Sequence, residues 1–289
     1  MILFVSHATS YTYSGSAIES YNEIRLTPTT DEKQALISFD IETDPTANIF
    51  RYHELGGDVN HFNHLLPHTS LQINARAIVN TLLTNPFESL NLTENDWGDY
   101  SRCNLDSTFS EYLSPTLLVP RETVAAELSK RAKQIDDTSV ATFLLALNKL
   151  LNETIEYRQG ATTVHSTLHE VLVDMSGVCQ DFSHVMLAAC RYIGIPSRYV
   201  SGYLYTAPGR ETLHADEAMH AWVECLLPDG NWHGFDPTNN LMADDRYIKA
   251  HVGRDYNDVT PVKGVYRGAA SHEMNVYVTV REATSTEHL

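Results

Sequence analysis

The spacing of apolar and polar residues changes character part-way along the chain. In the first stretch, short runs rich in β-formers recur at Ile2 to Val5, Ile24 to Leu26, Ala35 to Ile41, Ile49 to Tyr52 and Leu71 to Leu83. Pro28-Thr29-Thr30-Asp31, Asp44-Pro45 and Gly56-Gly57-Asp58 separate them, the pattern of a small antiparallel sandwich or barrel. From Thr123 the period lengthens. Thr123 to Lys133 and Ser139 to Ile155 read as helices, the second through Val140, Phe143, Leu144, Leu147, Leu150 and Leu151, with Ser139 as its N-cap. Ser166 to Val173 is a shorter helical pattern, and Val178, Phe182, Val185, Met186, Ala189, Cys190 and Ile193 form another apolar stripe at helical spacing. Gly194-Ile195-Pro196 stops it, and Arg198 to Tyr205 reads as a strand. His220 to Leu227 and Trp232 to Asp236 then flank Pro228-Asp229-Gly230-Asn231, a strong hairpin signal.

These elements predict an α+β chain in three parts: a β-sandwich-like N-terminal domain over 1–85, a connector over 86–120, and a catalytic domain over 121–289 with C-terminal return strands. The connector carries Trp97, Tyr100, Phe109, Tyr112 and Leu113, aromatic content that predicts packing along the second domain rather than disorder. Ala207 to Glu217 is polar and turn-rich, a mobile-loop candidate.

Composition narrows the function classes. A formal charge of −17 disfavours nucleic acid and anionic membranes as partners, since both are bound through basic surfaces. Four cysteines, Cys103, Cys179, Cys190 and Cys225, lie far apart without a Cys-x-x-Cys pair, so neither a disulfide framework nor a zinc ribbon is indicated and a reducing, cytoplasmic setting fits. The short apolar opening lacks a basic leader, and no apolar run has transmembrane length.

Candidate chemistry centres on Ser176-Gly177-Val178-Cys179-Gln180-Asp181-Phe182. Gly177 lets the chain bend and places Cys179 in the first turn of a helix. There, unpaired amide donors and the positive end of the helix dipole favour a thiolate, while this segment alone equally suits a buried structural cysteine. The hairpin brings His220, at the start of one strand, near Asp236, at the end of its antiparallel neighbour. A thiol, an imidazole and a carboxylate so arranged suit acyl transfer: the sulfur attacks a carbonyl carbon, the imidazole moves the proton, and the carboxylate orients the imidazole. The Cys179 amide is a candidate oxyanion donor, with Tyr157 or Gln159 as the second. The histidines in His61-Phe62-Asn63-His64-Leu65-Leu66-Pro67-His68, together with His53, lack a carboxylate or cysteine that would complete a metal set, and Pro67 suggests a loop with solvated imidazoles. His165 and His169 share a helix face without the His-Glu-x-x-His pattern. Asp244-Asp245 reads as a solvated turn rather than a calcium loop. No metal or cofactor is expected.

The chain resembles the transglutaminase-like cysteine acyltransferases and hydrolases, in particular the bacterial group with an N-terminal β domain. The resemblance lies in Gly177-Val178-Cys179-Gln180-Asp181-Phe182, Gly194-Ile195-Pro196-Ser197-Arg198-Tyr199-Val200-Ser201-Gly202-Tyr203, His220-Ala221-Trp222-Val223-Glu224 and Asp236-Pro237-Thr238. It extends to Gly253-Arg254-Asp255-Tyr256-Asn257-Asp258-Val259 and, more loosely, to His7, Tyr11, Tyr13 and Arg25-Leu26-Thr27-Pro28. It implies a papain-like transglutaminase core with Cys179 as nucleophile, His220 as general base and acid, and Asp236 as its orienting partner. It further implies thioester chemistry on protein, peptide or other amide-containing substrates. Trp222 and Asp181 match the motif; Trp222 reads as strand packing, and Asp181 as a partner of Arg198 or Arg254. Met219 departs from the small residue common before the histidine, and Ser197 from the alanine common in its position. Hydrolysis is expected, with protein cross-linking as the alternative within the enzyme class and a non-catalytic peptide-binding or scaffold module on the same fold as the alternative outside it.

Overall fold

The computed structural model describes residues 1–83, 85–88, 90–98, 107–163, 166–207, 213–214, 219–268 and 271–284. Cys103, Tyr100, His165 and most of the loop at 207–217 lie outside those residues.

The first sheet has seven strands and is built on β1 (Ile2–Ile24). Leu3, Val5, His7 and Thr9 point inward in strict alternation. Two of those inward residues are polar, so hydropathy follows the strand only as far as Val5. The register slips between Thr12 and Ala17, and Glu19 sits at φ 51°; such irregularities let one strand serve two differently oriented faces. The leading half of β1 lies between β5 (His68–Thr81) and β14 (His272–Glu282), with β2 (Gln34–Asp44) beyond β5. The trailing half lies between β4 (Gly57–His64) and β13 (Val262–Arg267), with β3 (Phe50–Glu54) beyond β4. The strands after Val262 thus join the first sheet. Tyr13, Ala17, Ile24, Phe62, Leu71 and Ile73 form its core.

The imidazole-rich stretch read as a loop is one only at 65–67, around Pro67; 61–64 end β4, where Asn60 and Phe62 alternate inward, and His68 opens β5. His61 stacks on Phe50, and His64 meets His68 edge-on at 4.7 Å. His68 is buried rather than solvated, with Nδ1 3.0 Å from Leu66 O.

The helices are α1 (Thr123–Ile135), α2 (Val140–Thr154), α3 (Leu168–Asp174), α4 (Cys179–Tyr192) and the single turn α5 (Tyr256–Val259). Ser139 caps α2 as expected, in a reciprocal box with Thr142. A second, five-stranded antiparallel sheet runs β11 (Leu241–Met242), β10 (Trp232–Asp236), β9 (His220–Leu226), β8 (Ser197–Leu204), β12 (Tyr247–Gly253). Val185 and Ala189 of α4 pack with Ala221, Val223 and Cys225 of β9 in the largest core cluster, which also takes Phe143 and Leu147 of α2. The connector lies against this half: Trp97 meets Phe143 edge-on at 5.6 Å, and Phe109 and Tyr112 meet Trp232. Two short strands, β6 (Glu156–Tyr157) and β7 (Ser176–Gly177), pair in parallel just before the cysteine.

The outer edge of β12 carries unpaired backbone groups, which a fold must cover. The first half of the chain covers it. The Gln34 amide accepts from Lys249 N–H and donates to Lys249 O, both at 2.8 Å, as a neighbouring strand would. Thr29 N–H donates to the same carbonyl, and Val252 N–H donates to Gly56 O, both at 3.0 Å. Gln34→Ala leaves the buried Lys249 N–H unpaired, while Lys249 O keeps Thr29 N–H, so it should cost about 1–3 kcal/mol of stability, measured by urea unfolding of the full chain; an unchanged midpoint contradicts this role for the amide.

Candidate active site

α4 begins at Cys179, with Val178 as its extended N-cap. Met175, at φ 47°, ends α3 in the left-handed region and makes the reversal. Gly177 has a different task from the bend expected of it. A Cβ there would lie 2.5 Å from Asp181 Oδ2 and 2.6 Å from Asp181 Cβ. The missing side chain is therefore space for the Asp181 carboxylate, which folds back to accept from Val178 N–H at 2.8 Å and from Thr162 Oγ1 at 2.5 Å. Burial pushes the Asp181 carboxyl up despite these donors. The expected ion pair to an arginine is not formed, because Arg198 is held by Glu224 at 2.5 Å and Arg254 by Asp258 at 2.8 Å.

The β9–β10 hairpin pairs Phe235 with Val223 and Gly234 with Glu224. His220 and Asp236 meet as anticipated: His220 Nε2 donates to Asp236 Oδ2 at 2.8 Å, with both residues buried. Tyr247 Oη on β12 and Asn239 Nδ2 also donate to Oδ2, each at 2.8 Å. Thr238 N–H and Asn239 N–H donate to Oδ1 at 3.0 and 3.3 Å. Burial alone would raise this carboxyl, but the His220 charge and these donors hold it below its usual range. Burial alone would likewise lower His220; the Asp236 charge and hydrogen bond outweigh it and carry the imidazole up to about 10. The neighbouring Cys179 raises it further, and the two side chains line one cavity. Since Nε2 is taken by Asp236, Nδ1 is the nitrogen left to face sulfur.

Trp222 stacks on His220 at 6.2 Å and meets Tyr247 edge-on at 5.3 Å. It is buried packing, and Gly202 leaves room for it: a Cβ there would come within 2.6 Å of the indole. Tyr157 sits on β6 opposite Gly177, half-buried and stacked on His214 at 4.1 Å. Gln159 is exposed beyond the end of that strand.

Cys179 and His220 open into a cavity of about 270 Å³, which Tyr199 and Tyr256 also line. Tyr256 is delivered by the Gly253–Val259 segment. Asp255 caps α5 through Asn257 N–H, Arg254 clasps Asp258, and Tyr256 N–H donates to His184 Nε2 at 3.3 Å. Burial keeps His184 neutral, pushed down to about 3. Tyr247, Asn239, Tyr199 and Tyr256 were not singled out from sequence. The last two lie inside quoted motifs, while Tyr247 and Asn239 reach Asp236 across a turn and a strand that no periodicity marks.

The transglutaminase-like superfamily core matches residues 127–237, and the bacterial transglutaminase-like N-terminal region matches residues 3–80. An uncharacterized protein of Mycobacterium leprae is 34% identical over 280 residues, 96% of this chain and 97% of the relative. The chain belongs to the transglutaminase-like superfamily. The crystal structure of a candidate cysteine protease from Cytophaga hutchinsonii shares the fold, with a TM-score of 0.75 and 22% identity over 98% of this chain and 91% of that one. A Pseudomonas aeruginosa protein-glutamine gamma-glutamyltransferase is 36% identical over 73 residues, 24% of this chain and 11% of the relative. No helix among the described residues is long and apolar enough to cross a membrane.

The His220–Asp236 pair stabilises the fold in full below the unfolded histidine value of about 6.5, and that contribution is lost as pH rises through about 10. The His220 ring should therefore still be protonated at pH 8, as read by its NMR titration. Asp236→Asn removes the charge that opposes burial and should leave the ring neutral at that pH; a neutral ring in the unaltered protein at pH 8 contradicts the pairing.

Proposed function

We propose that the chain is a cysteine-dependent amide hydrolase that works through a thioester. The observation that carries this reading is the buried imidazole bound to Asp236 and lining, together with Cys179, a single cavity. With His220 protonated, the thiolate form of Cys179 attacks the amide carbonyl carbon, and the C=O electron pair moves onto oxygen. Backbone donors at the start of α4 face that oxyanion, and Tyr157 is favoured over Gln159 as a further donor by its place beside β7. Collapse of the intermediate breaks the C–N bond, and imidazolium Nδ1 gives its proton to the leaving amine. Water then attacks the thioester while neutral His220 takes its proton. The carboxylic acid leaves, and sulfur and imidazole regain their starting forms. Asp236 keeps the ring oriented throughout, and Asp181 braces the turn that presents the cysteine.

Water is the acceptor in this scheme because amine transfer requires a site that excludes water and seats an amine, a property of pocket shape rather than of these three side chains. Substrates are proteins, peptides or other amides. Cysteines far apart in sequence, without a Cys-x-x-Cys pair, support a cytoplasmic setting.

Cys190 and Cys225 are fully buried and face each other at 3.8 Å, and burial raises the Cys225 thiol. Iodoacetamide should accordingly modify Cys179 at least ~10-fold faster than either, by peptide mass mapping. With a peptide mixture and a labelled primary amine, cleavage or deamidation should exceed label incorporation, and Cys179→Ala should abolish both. Label incorporation in excess would make the protein a cross-linking enzyme, activity surviving in the Cys179→Ala variant would overturn Cys179 as the nucleophile, and no turnover by the unaltered protein would return it to the scaffold class.

A further inference from the structure

The cavity beside Cys179 has two walls of different origin. Tyr199, Ser201 and Ala221 come from the second sheet, which carries the thiol and imidazole between its strands and α4. The facing wall comes from the first sheet: His7 and Thr9 on β1, Met274 and Val276 on β14. Its register explains why these side chains gather. Thr9 pairs with Val276 and Tyr11 with Met274, and alternation puts residues two apart on one face. Val262 and Met219 complete the apolar lining. Met219 is the departure noted beside His220, a flexible thioether where a small residue is common, and it reaches toward Ser201.

We propose that this first-sheet wall selects the substrate, admitting acyl groups with an uncharged apolar side chain and rejecting charged ones. The inference rests on the thiol-enzyme reading above and adds the substrate class. The chain holds 37 acidic and 20 basic residues, yet among the described residues no Asp, Glu, Lys or Arg lines this cavity. The charges its lining does hold, the Cys179 thiolate and the His220 imidazolium, already answer each other and Asp236, so a charged side chain entering it would lose water without gaining a free counter-ion, a cost far above that of misplacing a methylene. His7 does not supply a charge, because burial pushes it down to about 4. Its ring is instead tied into the wall, with Nε2 3.0 Å from Thr9 Oγ1 and Nδ1 3.4 Å from Tyr203 Oη of β8. That contact fastens the first sheet to the second next to the cleft. At about 270 Å³ the space falls just below the usual range of small-ligand pockets, a size for one side chain rather than a folded segment.

The test uses the full-length protein and a series of acetyl-amino-acid chloromethyl ketones bearing leucine, methionine, glutamate or lysine side chains. In each reaction Cys179 sulfur bonds to the ketone methylene, the C–Cl bond breaks, and chloride leaves. The rate of Cys179 modification is read by mass spectrometry and divided by the iodoacetamide rate of the same protein. The leucine and methionine reagents should react at least ~10-fold faster than the glutamate and lysine reagents. Met274→Lys, at a half-exposed rim position, should raise the glutamate-to-leucine ratio about tenfold, and Met219→Glu should raise the lysine-to-leucine ratio similarly. Equal normalised rates across the series, or ratios unmoved in both variants, overturn the selecting wall. A slow iodoacetamide reaction overturns the nucleophile reading instead, and the normalised ratios still decide the wall.

Discussion

A carboxylate buried with a full complement of donors is the constraint on which the cleft depends. Asp236 is inaccessible to solvent, and an anion in that position persists only if every lone pair is used. The turn after β10 supplies backbone donors, Asn239 and Tyr247 supply side-chain donors, and His220 supplies the remaining hydrogen bond with a charge. Because Tyr247 comes from β12 and His220 from β9, the carboxylate fixes two strands and a turn at one point. The imidazole orientation is thus a property of the whole sheet end rather than of one hydrogen bond.

A second buried charge performs a comparable service between the sheets. Glu224 is enclosed by Lys249 at 2.8 Å and Arg198 at 2.5 Å, and Lys249 also binds Asp31, ahead of β2, at 2.7 Å. Burial alone would raise the Glu224 carboxyl, but these cations hold it well below the usual carboxylate range. Arg198 continues over the face of Trp232 at 4.2 Å. Together with the Gln34 amide on the edge of β12, the network ties the first half of the chain to the sheet that carries His220. The strand edge is covered and the buried charge is answered by the same segment.

What the sequence discloses, and what it conceals, follows from how local each signal is. The helix starting at Cys179, the capped helix after Ser139 and the hairpin between His220 and Asp236 are legible because spacing, capping and turn chemistry are short-range. Gly177 was also legible as special, but for the wrong reason: the space it leaves for Asp181 is set three residues later, while Met175 takes the strained backbone. β4 was hidden by histidines at outward and terminal positions that resemble a polar loop. β1 was truncated because His7 and Thr9 occupy inward positions that hydropathy expects to be apolar, and they are polar where they meet the cleft. The donors on Asp236 from Tyr247 and Asn239 depend on tertiary placement, which no window along the chain contains.

The pairing of β1 with β14 joins Leu3 to Glu282, a closure over nearly the whole chain. Contacts so distant in sequence cost entropy before they return any stability, and they form late. The part of the chain that matches the superfamily core, residues 127–237, holds the thiol, imidazole and carboxylate but neither strand of the facing wall. An excised core would carry the reactive groups in an open trough, so the discrimination exercised in the cleft belongs to the closed chain and to no segment of it.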